Sequence, residues 1–171
     1  MNPDRHNISA EYFFGYDDKN VYIAVKVDDP IHQQRYQGSN LWRDDNIQFV
    51  FATEPVVPAA ARLFSTTRQE FAKGKNYSVA LTKRGTEFVC YNQLYKPKLQ
   101  AKVTRKNNQT FYEVAVPWSE IGSQPGKLLY FGLVVPNNDS KTTTNAPYWL
   151  DMADGVCGNR DDALLPMVIF E

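Results

Sequence analysis

The sequence predicts an all-β chain folded as an antiparallel β-sandwich, and three observations carry the prediction. Apolar residues recur with period two in short runs, turn-forming residues separate those runs at regular spacing, and no segment shows a helical apolar stripe of useful length. Eight or more short strands without crossover helices cannot build a parallel α/β sheet, which leaves a jelly-roll-type sandwich of two antiparallel sheets. A length of 171 residues suits one such domain, expected over residues 11–171, with residues 1–10 as a flexible N-terminal segment.

The first element is the aromatic-rich run 11–16, joined by Asp17-Asp18-Lys19-Asn20 to a second run that reads N-V-Y-I-A-V-K-V-D. In that second run Val21, Ile23, Val25 and Val27 share one face while Tyr22, Ala24 and Lys26 share the other, so the pair predicts a half-buried hairpin. Residues 46–52 alternate again, with Ile47, Phe49 and Phe51 on one side and Gln48 and Val50 on the other. Runs 77–82 and 86–92 flank Lys83-Arg84-Gly85, whose glycine can take the left-handed conformation of a tight loop, and they predict a second hairpin. Runs 99–105 and 110–116 flank Lys106-Asn107-Asn108-Gln109 and predict a third, which Pro117 ends because it has no N–H for the ladder. Residues 118–122 leave room for one helical turn, 128–135 read as a buried strand, and 167–170 as a final one. Long irregular stretches are expected at 30–41, 54–76 and 137–162, and loops of this length on a rigid sandwich are where ligands are usually held.

Composition excludes several classes of function. With 19 Lys+Arg against 19 Asp+Glu there is no net field to favour nucleic acid or an anionic membrane. Hydrophobic content of 43% and aromatic content of 13% describe a globular chain rather than a disordered one. The longest apolar runs, 128–135 and 164–170, fall far short of the ~20 residues that cross a bilayer. The first twenty residues lack the basic start and apolar stretch of a secretory signal, so the expectation is a cytoplasmic protein or a piece of a larger one. Cys90 and Cys157 stand far from any CxxC or neighbouring histidine and are expected as two unrelated buried thiols rather than a disulfide.

The segment from Tyr16 to Phe51, Y-D-D-K-N-V-Y-I-A-V-K-V-D-D-P-I-H followed by a polar loop and L-W-R-D-D-N-I-Q-F-V-F, carries a family pattern. It resembles the family 9 carbohydrate-binding modules and their wider DOMON-like relatives. Two later blocks fit the same order: F-Y-E-V-A-V-P-W at 111–118, and Tyr130-Phe131-Gly132 running to Asn138-Asp139. Trp149, Arg160-Asp161-Asp162 and the apolar last strand resemble the family's close. The resemblance implies a non-catalytic module that binds oligosaccharide or polysaccharide, covalently linked to a glycoside hydrolase or another carbohydrate-active protein, in an extracellular or periplasmic setting.

The family clamps a terminal sugar between two facing tryptophans, with charged and amide side chains bonding the hydroxyls; sugar C–H faces stack on indole while polar groups set orientation. The first clamp position falls on Trp42 and the second on Asn159, so a second platform would have to come from Trp149 through a differently folded loop. The family's acidic, arginine and glutamine positions fall on Gln48, near Ser78 and near Val134, of which Val134 has no group to bond a hydroxyl. A different polar set remains in the same loops: His32 to Tyr36, Arg43, Asn137, Asn138, Asp139 and Arg160. The candidate ligand-binding residues are therefore Trp42, Gln48, His32, Arg43, Asn138, Trp149, Asn159 and Arg160. Asp28, Asp29, Asp44 and Asp45 could gather around a structural Ca²⁺, with Asp44 and Asp45 the named candidates. Glu113 is expected to serve as a structural partner for a basic or backbone group.

Other readings stay open at this point. A haem-binding DOMON domain would need a histidine facing a methionine, and His6, His32, Met152 and Met167 are the residues available. A structural or interaction sandwich that has lost its sugar site fits the departures at Asn159 and Val134. An enzyme is disfavoured: no nucleophile elbow, metal-binding helix motif or phosphate loop occurs. The carboxylate pairs are sequence neighbours, which on a strand point to opposite faces.

Overall fold

A computed structural model describes residues 8–53, 74–91, 96–142, 148–153, 155–156 and 164–171. The strands are β1 (Ser9–Tyr16), β2 (Asn20–Asp28), β3 (Ile47–Ala52), β4 (Lys75–Thr82) and β5 (Gly85–Cys90), then β6 (Gln100–Lys106), β7 (Gln109–Pro117), β8 (Leu129–Asn137), β9 (Tyr148–Asp151) and β10 (Met167–Val168). A 3₁₀ turn, Gly38–Arg43, precedes β3, and one helical turn, α1 (Trp118–Ile121), follows β7. One sheet runs β1-β2-β7-β6; the other runs β10-β8-β3-β4-β5, with β9 also paired to β8. Every pairing is antiparallel, as the period-two pattern and the short connections require.

The three predicted hairpins form as read. Gly85 takes φ +101° after the two-residue turn at Lys83-Arg84. Asn107 and Asn108 both hold positive φ, the conformation that lets a two-residue turn follow the strand twist. Alternation in β2 is clean: Val21, Ile23, Val25 and Val27 are buried against Ile47, Phe49, Phe51 and Tyr77 of the opposite sheet. Trp118 completes this core by packing its ring edge against Phe170, with its indole N–H on the Asp17 carbonyl at 2.7 Å. The buried carboxylate nearby is Glu120, which accepts from the Tyr77 hydroxyl at 3.1 Å and from the Lys98 N–H at 3.3 Å.

Two readings are corrected. Residues 137–162 are not wholly irregular, because Tyr148–Asp151 adds a strand to the free edge of β8; four residues are too few for alternation to announce, but the unpaired edge of β8 recruits them. The strand β4 begins at Lys75, inside the stretch expected as loop; residues 54–73 of that stretch lie outside the described residues. Strand β3 is buried on both faces. Val50, Ala52 and Val134 on the outer face pack with Val156 and Leu165 from the C-terminal segment. Cys90 is buried at the end of β5, whereas Cys157, and with it any pairing, lies outside the described residues, as do His6, Asn159 and Arg160.

Candidate functional site

Register brings together the residues onto which the family's polar positions fall. Gln48 pairs with Ser78 across β3 and β4, and with Val134 across β3 and β8, so all three lie side by side on the outer face of the six-stranded sheet. Asp151 of β9 extends the row beyond Val134. One step along, Asn46 donates to the Asp44 carbonyl at 2.6 Å and accepts from the Ser78 hydroxyl at 2.8 Å. Gln48 is buried to 6% exposure, yet its amide has no hydrogen-bond partner among the described residues.

Two half-exposed tryptophans flank this face. Trp149 points outward from β9, its neighbours Tyr148 and Leu150 turning the other way, and is 39% exposed. Trp42 is 37% exposed on the 3₁₀ turn, which packs against β4 and β5 while its neighbour Leu41 is fully buried. The two indoles therefore stand toward opposite edges of the sheet, with β8 and β3 between them. Arg43 lies over the Trp42 ring at 5.1 Å and over the Tyr36 ring at 5.4 Å, which braces the indole by cation–π attraction.

The loop polar set also comes together, but it is largely spent on itself. Asp44 accepts the Arg35 backbone N–H, the Arg35 guanidinium through both Nε and Nη2, and the Asn138 amide at 2.7 Å. Gln33 donates to the carbonyls of Asn138 and Ser140, and Gln34 to those of Leu41 and Asp45. Asn138 is fully buried. Its side chain, a candidate ligand contact, donates to the Arg43 carbonyl and to Asp44 and accepts from the Ser140 N–H, and so holds the loops together.

His32 is engaged within the protein as well. One ring nitrogen, Nε2, hydrogen-bonds the Leu81 carbonyl at 3.0 Å, and Nδ1 faces Asp45 at 3.5 Å. Burial holds the imidazole below the ordinary histidine value. With both nitrogens engaged it is not presented to a haem iron, and Met167 stands exposed on the last strand.

Asp29, His32 and Asp45 offer ligand atoms within 4.8 Å of one another. Burial raises the Asp45 carboxyl to about 8 and that of Asp29 to about 6, with Asp139 adding like charge to both. Of the two named calcium candidates, Asp44 would have to give up Arg35 to take an ion, whereas Asp45 sits in this cluster. Two carboxylates and an imidazole fall short of the six to eight oxygens of Ca²⁺, so loop carbonyls would have to complete such a shell. No spacing in the chain marks this grouping, since His32 and Asp45 belong to different segments of the connection between β2 and β3. Glu113, expected to hold a structural partner, instead stands exposed on the outer face of the four-stranded sheet.

Fold and site together make this a two-sheet antiparallel sandwich with a row of polar and apolar residues on one outer face and part-exposed indoles beside it. The chain belongs to the "Carbohydrate family 9 binding domain-like" family, whose model matches residues 1–156. Its fold is that of a family 9 carbohydrate-binding module from Caldicellulosiruptor kristjanssonii solved in complex with cellotriose: TM-score 0.72, 15% identity, 96% of this chain and 75% of that one covered. The same organism's module in complex with glucose gives TM-score 0.72 and 15% identity, over 96% of this chain and 77% of that one. No curated protein sequence matches.

Proposed function

We propose that this chain is a non-catalytic carbohydrate-binding module whose sugar site lies on the outer side of the six-stranded sheet, along the open edges that Trp42 and Trp149 mark rather than over the buried row between them. The observation that carries the reading is the pair of part-exposed indoles, Trp42 and Trp149, on one side of that sheet, with the Gln48 amide, which no described residue engages, between them. Indoles stack on sugar C–H faces, and an amide offers both a donor and an acceptor to hydroxyls. Family membership supports the same assignment. On that membership rest two further proposals: that the module is linked to a glycoside hydrolase or other carbohydrate-active catalytic domain, and that it works in an extracellular or periplasmic setting.

Titrating tryptophan fluorescence with glucose, xylose, cellobiose, cellotriose and xylo-oligosaccharides tests the site. A saturable shift lost in Trp42→Ala and weakened in Gln48→Ala is expected. Val134, apolar where the family's glutamine falls, favours a second reading as a structural sandwich without a sugar site. No shift with any sugar would select that reading.

A further inference from the structure

The outer face of the four-stranded sheet carries chemistry that the proposed sugar site does not use. Register aligns Phe13, Ala24, Glu113 and Lys102 in one row across all four strands. The adjoining row runs Gly15, Tyr22, Ala115 and Gln100. The small residues Gly15, Ala24 and Ala115 keep the floor low, and the rings of Phe13 and Tyr22 stand above it, 54% and 40% exposed. The result is a cleft of ≈ 510 Å³. A second cleft, ≈ 430 Å³, reaches Phe111 and shares Phe13, Ala24 and Glu113 with the first, so the two meet. Three aromatic rings thus line two adjoining depressions.

Two features mark this face as arranged for a ligand. The Tyr22 hydroxyl donates to Asp17 Oδ2 at 2.8 Å and accepts from the Asn20 amide at 3.2 Å, which holds the ring upright. Glu113 and Lys102 are direct cross-strand partners, a position where opposite charges ordinarily pair. Neither makes an ion pair or hydrogen bond among the described residues, whereas Lys26 and Glu11 on the same face pair at 2.7 Å. The cleft therefore presents a carboxylate, an ammonium and the Gln100 amide, all available, between aromatic faces.

That lining selects its occupant. One negative and one positive group cancel, so neither a polyanion nor a polycation is favoured. Aromatic faces with mixed donors and acceptors suit a neutral polyhydroxylated chain, and strands ~4.8 Å apart place successive side chains at intervals that several sugar rings in a row could follow. The alternation of rings with small and charged residues lacks the contiguous apolar centre of a homodimer interface. We propose that this face is a second carbohydrate site, an open groove that takes an internal stretch of an uncharged polysaccharide, on the sheet opposite the Trp42 face and independent of it.

The test is affinity electrophoresis and calorimetry with soluble xylan, hydroxyethylcellulose and mixed-linkage β-glucan, run on the wild type, Phe13→Ser/Tyr22→Ser, Glu113→Gln and Trp42→Ala. All the altered side chains are exposed, and unchanged far-ultraviolet dichroism and Tm confirm that each variant folds. The double variant is expected to weaken binding of at least one polysaccharide by about tenfold or more, as loss of stacking rings does. Glu113→Gln is expected to weaken the same one, while both leave the fluorescence response to cellotriose and glucose unchanged. Trp42→Ala is expected to retain the polysaccharide binding. The proposal is overturned if the wild type binds none of the three, if the double variant binds them all as the wild type does, or if a concentration-dependent dimer dissociates in the double variant. Failure of the Trp42 site alone would appear only in the small-sugar titration.

Discussion

Asp45 and Asn138, 93 residues apart, are joined by one hydrogen bond: the Asn138 backbone N–H donates to Asp45 Oδ1 at 2.8 Å in a fully buried setting. The other oxygen of the same carboxylate accepts the Gln33 N–H at 2.6 Å. One side chain thereby ties the loop after β2 to the end of β8.

This buried carboxyl predicts how stability depends on pH. Burial raises Asp45 to about 8 and Asp29 to about 6 from 3.8, so the folded chain retains protons that the unfolded chain has released. Stability is then full below about pH 4 for these groups and falls as pH rises through 6 and 8, by up to about 1.4 kcal/mol per pH unit for each proton. Chemical denaturation in chelator from pH 5 to pH 8 should show the decline, and Asp45→Asn should flatten it. Calcium at the cluster would reverse the trend, raising Tm at pH 8 more than at pH 5, because its ligands must be ionised.

Arg35 neutralises Asp44, whose side chain is fully buried while that of Arg35 is a third exposed. Arg35→Met is expected to destabilise the fold by about 2–3 kcal/mol, since the carboxylate left behind has lost its charge partner. Asp44→Asn/Arg35→Met should recover part of that loss in urea unfolding, and an additive double variant would refute the pairing.

Gly132 sits under the C-terminal segment. A Cβ there would lie 2.6 Å from both the Leu165 Cδ2 and the Val156 Cγ2 atoms. Gly132→Ala is expected to cost about 1–3 kcal/mol and to loosen the segment that covers β3 and β8. Limited proteolysis beyond β9 should speed up, and a variant as stable as the wild type would contradict the contact.

Three tryptophans should divide into two classes. Trp118 is buried at 4% exposure with its N–H bonded, while Trp42 and Trp149 are open. Iodide is expected to quench part of the emission and to leave a blue-shifted fraction untouched. Trp118→Phe should remove that fraction and leave the sugar response intact.

Most of the fold is legible in the chain because strand faces and tight turns are local. Val21 to Val27 announce one buried face every second residue, and Gly85 and the Asn107-Asn108 pair announce their turns. The side-by-side placement of Gln48, Ser78 and Val134 was legible only through resemblance, since sheet order is not written in any one strand. The strand Tyr148–Asp151 was not legible at all, because it exists by virtue of the edge that β8 offers.

By itself, then, the sequence determined every strand but Tyr148–Asp151, the hairpins, the inward faces and the family to which the chain belongs. Tertiary structure alone decided which polar residues are spent and which are available. His32 and Asn138 look from the sequence like ligand contacts, yet both are drawn inside and hydrogen-bond within the protein, while the part-exposed Arg35 pairs with Asp44. Gln48, Glu113 and Lys102 are left unengaged among the described residues. The physical reason is that a polar group's partners come from whatever segments the sheets bring alongside it, and that is a property of the packed whole rather than of any stretch of chain.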